Sequence, residues 1–486
     1  MSEKRQDGSS GAASVGLAFA ALSALALSFG GPVHADTLLD AVDLAYSTNP
    51  ALRAERERAR SVDEGIAQAR AGILPTVTLQ GQGGLSQTET KIGPPPGVTS
   101  GAVGEPQNAD PESVTAQVVQ PIFRGGRTYY GVRQASAAAK AAHATYRSSE
   151  QQFLIEVITA YMNVRRDEES VRIRENNVSV LRKQVEAAQA RFDVGEGTKT
   201  DIAQADARRS GGDAGLAQAR AQLDASRAAY ERIVGQKPGT LDAPPALPVL
   251  AATLDDAINA ALDANPDLRA AKLSAEAAKF AVGVSRSQLL PQADIVAQAG
   301  IDRQNYSYLS GLAEGRSRTD SSSVVGRVTI PLFDAGLARS QTRQAKINNY
   351  RADALEQDTK NRVVEGVNAA WSRYLAAQVV QTASEAQVSD NETAFEGVQQ
   401  EQQVGLRTFL DVLDAEQELL DSRLAAVNAQ RDSYIAAHAL LAAYGGLDVV
   451  SLQARVGQYH PEKYYNRAKR TIISTGVPKL KTKAPK

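Results

Sequence analysis

The chain contains an internal repeat with a very long period. The segment TLLDAVDLAYSTNPALRAERERA, from Thr37, returns as TLDDAINAALDANPDLRAAKLSA from Thr253. Further on, VGEGTKTDIAQAD from Val194 matches VGLRTFLDVLDAE from Val404. The shifts are about 210 residues, whereas the units of repeat arrays run to about 20 to 50. The sequence therefore predicts two copies of one large structural half.

The same alignment sets the domain boundaries. The first structural repeat is predicted to span residues 36–235 and the second residues 253–447. The Pro-rich segment QKPGTLDAPPALPVLAA, residues 236–252, forms the linker between them. The shift is slightly larger at the start of the repeat than at its end, which places a longer loop in the first copy, between Pro75 and Pro121.

Each half contains two stretches in which apolar and polar side chains alternate, as they do along β-strands. In the first stretch, Val77 and Leu79 alternate with Thr76 and Thr78. The predicted strands cover about residues 74–90, 113–123, 290–303 and 322–332. The sequence thus predicts one strand hairpin per half, and four strands per chain.

Two very long helices are predicted, because nothing breaks the pattern over residues 126–194 or 335–403. At 1.5 Å per residue, each is a rod of roughly 100 Å. Each rod ends in a Gly-containing turn and returns as a shorter helix, over residues 198–234 and 408–444. In the first rod, a seven-residue apolar spacing indicates a left-handed packing seam. Its members are Val157, Val164, Val171, Val178, Val185 and Phe192.

Four strands of roughly ten residues have the length of strands that cross an outer membrane at a tilt. Four strands cannot close into a barrel alone, and an open sheet edge is not tolerated in lipid. Eight strands from a dimer would leave an interior filled by side chains, whereas twelve from a trimer leave an open one. The predicted fold class is an α+β membrane protein, with a trimeric 12-stranded β-barrel continued by a long α-helical barrel. A soluble sheet under the helices is the alternative, because alternation alone does not distinguish a strand face in lipid from one in a soluble core.

The first 35 residues have the pattern of a secretory signal peptide. Lys4 and Arg5 precede an apolar run from Val15 to Leu27, and residues 33–35 fit a small-x-small cleavage site. The mature chain is expected to start at Asp36. An uncleaved anchor is the alternative, but about 13 apolar residues are short for a membrane span of roughly 20.

The composition argues against several classes of function. A net charge of -1 provides no field that would hold nucleic acid, so no nucleic-acid partner is predicted. The chain has no Cys, and its four His have no ligand spacing, so no metal site is predicted. GEGTKT and GQGGLS fail the phosphate-loop and dinucleotide patterns, respectively. No enzyme activity and no cofactor are expected.

The chain combines the duplication with the junction motifs QPIFRGG and IPLFDAG and the turn VGLRTFLDVLDAE. With these features it resembles outer-membrane factors of the TolC type, from Thr37 to about Leu447. The resemblance implies a homotrimer in the outer membrane of a Gram-negative bacterium, with a helical tunnel across the periplasm. It also implies a periplasmic adaptor and an inner-membrane RND or ABC transporter as partners, and export of drugs, toxic small molecules or polypeptides. Without a lipid-bearing Cys, the barrel alone would contact the outer-membrane lipid.

The two matching turns contain the candidate site residues. Gly195 and Gly405 are suited to end the long helices, and Thr198 and Thr408 to cap the next ones, with an Asp three residues on. The resemblance implies that these turns dock the adaptor.

Asp411 and Asp414 lie on one helical face, and across a threefold axis they would form two stacked rings of carboxylates. The resemblance assigns this pair to the periplasmic constriction, or gate. In the first copy, Gln204 replaces the second Asp. The resemblance also makes Arg407 and Asp201 partners in a latch of the closed state, whereas Gln402 stands where the family usually has a Tyr.

The basic tail, residues 448–486, is predicted to be flexible, with a contact to anionic lipid or a partner as the alternative. A second hypothesis for the whole chain is a periplasmic trimeric coiled-coil scaffold or adhesin without a channel. A peptidoglycan-binding enzyme is disfavoured, because no acid/base or nucleophile constellation is present.

Overall fold

The computed structural model describes residues 37–89, 106–308, 314–472 and 474–478. The predicted signal peptide lies outside the described residues. Within them, both halves have the same order of elements, namely two helices, a strand hairpin, a long helix and a return helix.

The first half consists of α1 (Leu38–Thr48), α2 (Pro50–Ala71), β1 (Thr76–Gly83), β2 (Ser86–Glu89), β3 (Pro106–Arg124), α3 (Arg127–Asp193) and α4 (Lys199–Val234). The second half consists of α5 (Leu254–Ala264), α6 (Pro266–Arg286), β4 (Gln292–Tyr308), β5 (Glu314–Thr329), α7 (Leu337–Gln403) and α8 (Phe409–Ala443). A single 3-10 turn, Ser287–Leu289, precedes β4, and α9 (Glu462–Ala468) lies in the tail.

The long helices begin where the junction motifs place a Gly. Gly126 and Gly336 have φ of 80° and 84°, in the left-handed region, so each supplies the turn residue directly before a long helix. Both α3 and α7 are 67 residues long. The ends of α3, α4, α7 and α8 lie within two residues of the predicted ends.

The strands extend further than the alternation indicates. β3 starts at Pro106 instead of residue 113, and β5 starts at Glu314 instead of residue 322. β4 continues to Tyr308 and pairs with both neighbours along this extension. Backbone hydrogen bonds maintain the ladder there without an apolar face, and for this reason the side-chain pattern does not reveal these ends.

The strands form one antiparallel sheet in the order β1-β3-β4-β5, with β2 also paired to β3. In β1, β3, β4 and β5, the register aligns most of the alternating apolar positions on one face. One row across the sheet is Val77, Val118, Ala297 and Val324, and the next is Leu79, Ala116, Ala299 and Ser322. The opposite face contains the row Thr78, Gln117, Gln298 and Ser323. The sheet is therefore amphipathic over these rows, and Val119, Val296 and Val325 add one apolar row to the opposite face.

The main core lies where α1, α2, α3 and α4 meet the start of the tail. Val157 and Val164 of the predicted seam are fully buried, and Val178 is 3% exposed. Val185 and Phe192, nearer the end of α3, are only half-buried. The seam is thus tight near the middle of α3 and loosens toward the turn after it.

A network of buried polar side chains connects this core. Glu150 of α3 accepts hydrogen bonds from the hydroxyls of Tyr46 and Tyr146, and from Nη1 of Arg147. The hydroxyl of Tyr46 accepts a hydrogen bond from the backbone N–H of Tyr459, at 2.9 Å. Burial is the largest cause of the raised pKa values of Tyr46 and Tyr146, and the Glu150 charge adds to it.

The first part of the tail packs on the first repeat, which differs from the expected flexible tail. Arg60 of α2 lies over the ring of Tyr464 in α9, at 4.2 Å from its centroid. The Tyr464 hydroxyl donates to Glu64 at 2.6 Å, and the N–H of Val456 donates to Asp43 at 2.9 Å. Aromatic and charged contacts with α1 and α2 thus order a segment whose composition alone indicates disorder.

Among the residues that the structure describes, no helix is long and apolar enough to span a membrane.

Candidate functional site

The two predicted turns have nearly the same backbone. Gly195 and Gly405 have φ of 81° and 80°, so each supplies the left-handed residue that follows a helix. The N–H of the next residue, Glu196 or Leu406, returns to a carbonyl five positions back, at 2.8 and 2.9 Å. These bonds satisfy the last carbonyls of α3 and α7 and reverse the chain within a few residues.

Both return helices start with the predicted cap. Thr198 and Thr408 each accept a hydrogen bond from the N–H of the Asp three residues on, at 3.2 Å. Asp201 and Asp411 accept in return from the Thr N–H, at 2.9 and 2.8 Å. Both turns are complete capping boxes. The bonds from Thr408, backbone first and hydroxyl second, lower the pKa of Asp411.

Asp411 and Asp414 lie on successive turns at the start of α8. Asp411 is half-buried, and Asp414 is exposed to solvent over 53% of its side chain. Both carboxylates already have partners within the chain. Asp411 belongs to the cap, and Asp414 accepts a hydrogen bond from Nη2 of Arg208 in α4, at 2.5 Å.

Arg208 is a site residue that the motifs do not identify. Its bond to Asp414 joins the return helices of the two repeats. Aligning the two copies does show a difference at this position, because the first copy has Arg208 where the second has Glu418. The two copies thus carry opposite charges at this position. As an exposed pair it adds at most about 1 kcal/mol of stability, so its main effect is to neutralise Asp414.

Arg407 and Asp201 do not contact one another in this chain. Nε of Arg407 donates to Glu401 of the same turn, at 2.9 Å, and Asp201 caps its own helix. Their predicted latch therefore stays a prediction.

A different polar link joins the two turns. Nη2 of Arg191, near the end of α3, donates to Oε1 of Gln402, near the end of α7, at 3.1 Å. Gln402 thus has a partner within the chain.

The turns also expose apolar side chains. Val194 and Val404 are each 72% exposed, and Leu406 is 76% exposed. Within the described ranges, no three His, Asp or Glu side chains lie close enough together to hold a metal ion. The two turns therefore offer charged and apolar side chains for contact, and no set of metal ligands among the described residues.

The family model described as outer membrane efflux protein matches residues 41–236 and 257–446. The outer membrane efflux protein BepC of Brucella suis biovar 1 (strain 1330) is 32% identical over 434 residues, covering 89% of this chain and 91% of BepC. The alkaline protease secretion protein AprF of Pseudomonas aeruginosa is 27% identical over 427 residues, covering 86% of each chain.

A solved structure of the outer-membrane channel OprN matches with a TM-score of 0.67 and 25% identity, covering 84% of this chain and 90% of that one. The paired long helices and the antiparallel sheet of this chain are thus the fold of an outer-membrane channel component. The chain belongs to the outer membrane efflux protein family. Its place is the outer membrane of a Gram-negative bacterium, with an extension into the periplasm. The predicted resemblance and localisation are confirmed.

Proposed function

We propose that the protein is the outer-membrane exit duct of a tripartite efflux or type I secretion system. A homotrimer passes drugs, toxic small molecules or polypeptides from an inner-membrane RND or ABC transporter, by way of a periplasmic adaptor, to the exterior. The names of the relatives support both efflux and secretion, since BepC is an efflux protein and AprF a protease secretion protein.

The amphipathic sheet is the observation that carries the proposal. Its outer strands, β1 and β5, each have one edge that pairs with no described strand. Apolar side chains on one face are exposed in the single chain, with Val77 at 73% and Val324 at 76%. Lipid tolerates such a face only if every edge is paired. Joining β5 of one copy to β1 of the next in a ring of three copies gives twelve strands with no free edge.

The helices support the same assembly. Of the 67 residues in each long helix, α3 buries 19 and α7 buries 6. Apolar side chains along α7 remain exposed, among them Ile347 at 64%, Tyr350 at 67% and Val379 at 69%. A helix with so little covered apolar surface requires another partner. In the trimer, this surface of α7 packs against a neighbouring copy.

In this assembly, Asp411 and Asp414 of three copies surround the axis and form the gate. Arg407 and Asp201 form a latch of the closed state, together with the Arg208 to Asp414 bond. The turns from Gly195 to Thr198 and from Gly405 to Thr408 dock the adaptor, through exposed apolar residues such as Leu406.

The proposal is tested with the full chain purified in detergent. A heat-resistant trimer is expected on denaturing gels, together with discrete, cation-selective conductance steps in planar bilayers. A monomer that stays soluble without detergent, and that produces no conductance, would exclude the duct and favour the scaffold hypothesis.

Removing the Arg208 charge is expected to increase the negative charge of the gate. In Arg208→Ala, Asp414 loses its counterion in each of three copies, so block by a multivalent cation should tighten by about tenfold or more, because three more uncompensated carboxylates act on the cation. The matched control is Arg209→Ala, since Arg209 pairs with Asp206 of its own helix at 3.4 Å. Equal block in the two variants would remove Arg208 from the gate.

A further inference from the structure

Glu416 is a buried carboxyl group at the contact between the two helical hairpins. It lies on α8, two residues after Asp414, and is 5% exposed. Its Oε1 accepts a hydrogen bond from Nδ2 of Asn177 in α3, at 2.9 Å. This bond joins the long helix of the first repeat to the return helix of the second, close to the proposed gate.

The second carboxyl oxygen of Glu416 has no hydrogen-bond partner among the described residues, and it is closed to solvent. An ionised carboxylate in such a place costs several kcal/mol, so a proton is the simplest way to neutralise it. Burial raises the pKa of Glu416 to about 7, although the bond from Asn177 opposes the rise.

A cavity of about 390 Å³ adjoins Glu416 between α3, α7 and α8. The α3 wall contributes uncharged side chains: Ile173, Asn176, Asn177 and Val180. The charged groups are Glu392 and Glu396 from α7 and Arg423 from α8. Arg423 already pairs with Glu392 at 2.7 Å, so no spare cation lines the cavity. The volume has room for several waters, at about 30 Å³ each, which provide a route for protons.

We propose that Glu416 is a proton-operated switch of the contact between α3 and α8. With the proton bound, α8 packs closely on α3 and the start of α8, with Asp411 and Asp414, stays in its closed position. When the proton leaves, the charge draws water from the cavity into the contact and loosens α8. This regulation goes beyond the proposed duct, and only its link to gating depends on that function.

How the stability of the contact between α3 and α8 changes with pH follows from the raised pKa of Glu416. The packed state holds the proton more tightly than the loosened state, in which the carboxyl has its ordinary value near 4.5. The contact is therefore most stable below that value and weakens as the pH rises toward about 7, after which it weakens no further. Between pH 6 and 8, this coupling amounts to about a tenfold change in the population of the loosened state.

The test is hydrogen exchange of the full chain in detergent, followed in peptides from the start of α8 and corrected for the intrinsic effect of pH. In the native protein, exchange is expected to rise about tenfold from pH 6 to 8, whereas Glu416→Gln should stay at the low rate. Glu418→Gln, an exposed neighbour on α8, should behave like the native protein. A flat native profile, or an unchanged rise in Glu416→Gln, would overturn the switch.

A second variant keeps the test decisive if Glu416→Gln fails to fold. Asn177→Leu removes the bond that opposes protonation, so the midpoint of the exchange profile should move to higher pH. An unmoved midpoint would overturn the switch. Conductance at the same pH values tests the link to gating, and a rise with the same midpoint supports it. Absence of conductance at every pH would contradict the proposed duct, while the exchange profile would still decide the switch.

Discussion

Replacing Asp411 and Asp414 together by Ala is expected to raise the single-channel conductance by about twofold or more, and to abolish most of the block by multivalent cations. Three copies would lose six carboxylates from the narrowest part of the duct, where a ring of like charge sets ion selectivity. The change also leaves Arg208 without its partner, so the gate gains positive charge as it loses negative charge. The measurement is conductance and cation block in planar bilayers.

Two controls separate charge at the gate from other effects of this double change. Glu418→Ala with Asp421→Ala removes the same number of carboxylates from exposed positions further along α8, and should leave conductance and block unchanged. Asp411→Asn with Asp414→Asn keeps the side-chain size and most of the capping geometry, and should reproduce the Ala result. If the Ala variant conducts and is blocked like the native protein, these two residues do not form the gate.

Glu150→Ala is expected to cause a large loss of stability, of about 1 to 3 kcal/mol, because it leaves buried tyrosine hydroxyls without their acceptor. Glu150 accepts from Tyr146 at 3.2 Å, so this buried hydroxyl would lose its acceptor, and half-buried Arg147, which donates to Glu150 at 2.5 Å, would lose its counterion. Tyr46 loses the same acceptor, and Tyr46 holds the tail through the N–H of Tyr459. The apparent melting temperature should fall, and the tail after residue 447 should become sensitive to protease.

The control for this prediction is Glu156→Ala, an exposed carboxylate less than two turns further along α3. It should melt like the native protein. Glu150→Gln, which can still accept hydrogen bonds from the two Tyr hydroxyls, should lie between the two. A native melting temperature in Glu150→Ala would mean that the polar network does not support the core.

Much of the fold was predictable, because it depends on patterns within short segments. Period two in the strands and the absence of breakers in the helices are local properties. The faces assigned by alternation coincide with the rows of the sheet, since Val77 does lie beside Val118. The ends of β3, β4 and β5 were missed, because their extensions have no apolar face and are held by the backbone ladder.

The candidate site was predictable only in part. The turns and their caps depend on residues three apart, such as Thr408 and Asp411, and the motif contains both. The partners of the acidic residues, unlike the caps, are distant in the sequence. Arg208 and Asp414 are 206 positions apart, and Asn177 and Glu416 are 239 apart. No local pattern specifies which side chains meet over such separations.

By itself, the sequence determined the twofold repeat, the lengths of the long and return helices, the alternation of the strands and the family, because each depends on contiguous residues or on the match between the two copies. Only the tertiary structure decided that Asp414 is neutralised by Arg208, that Glu416 is buried against α3, and that the tail packs on α1 and α2. These depend on how the hairpins lie against one another. Such packing arises from the whole molecule, and the ionisation of a buried carboxyl follows from that packing.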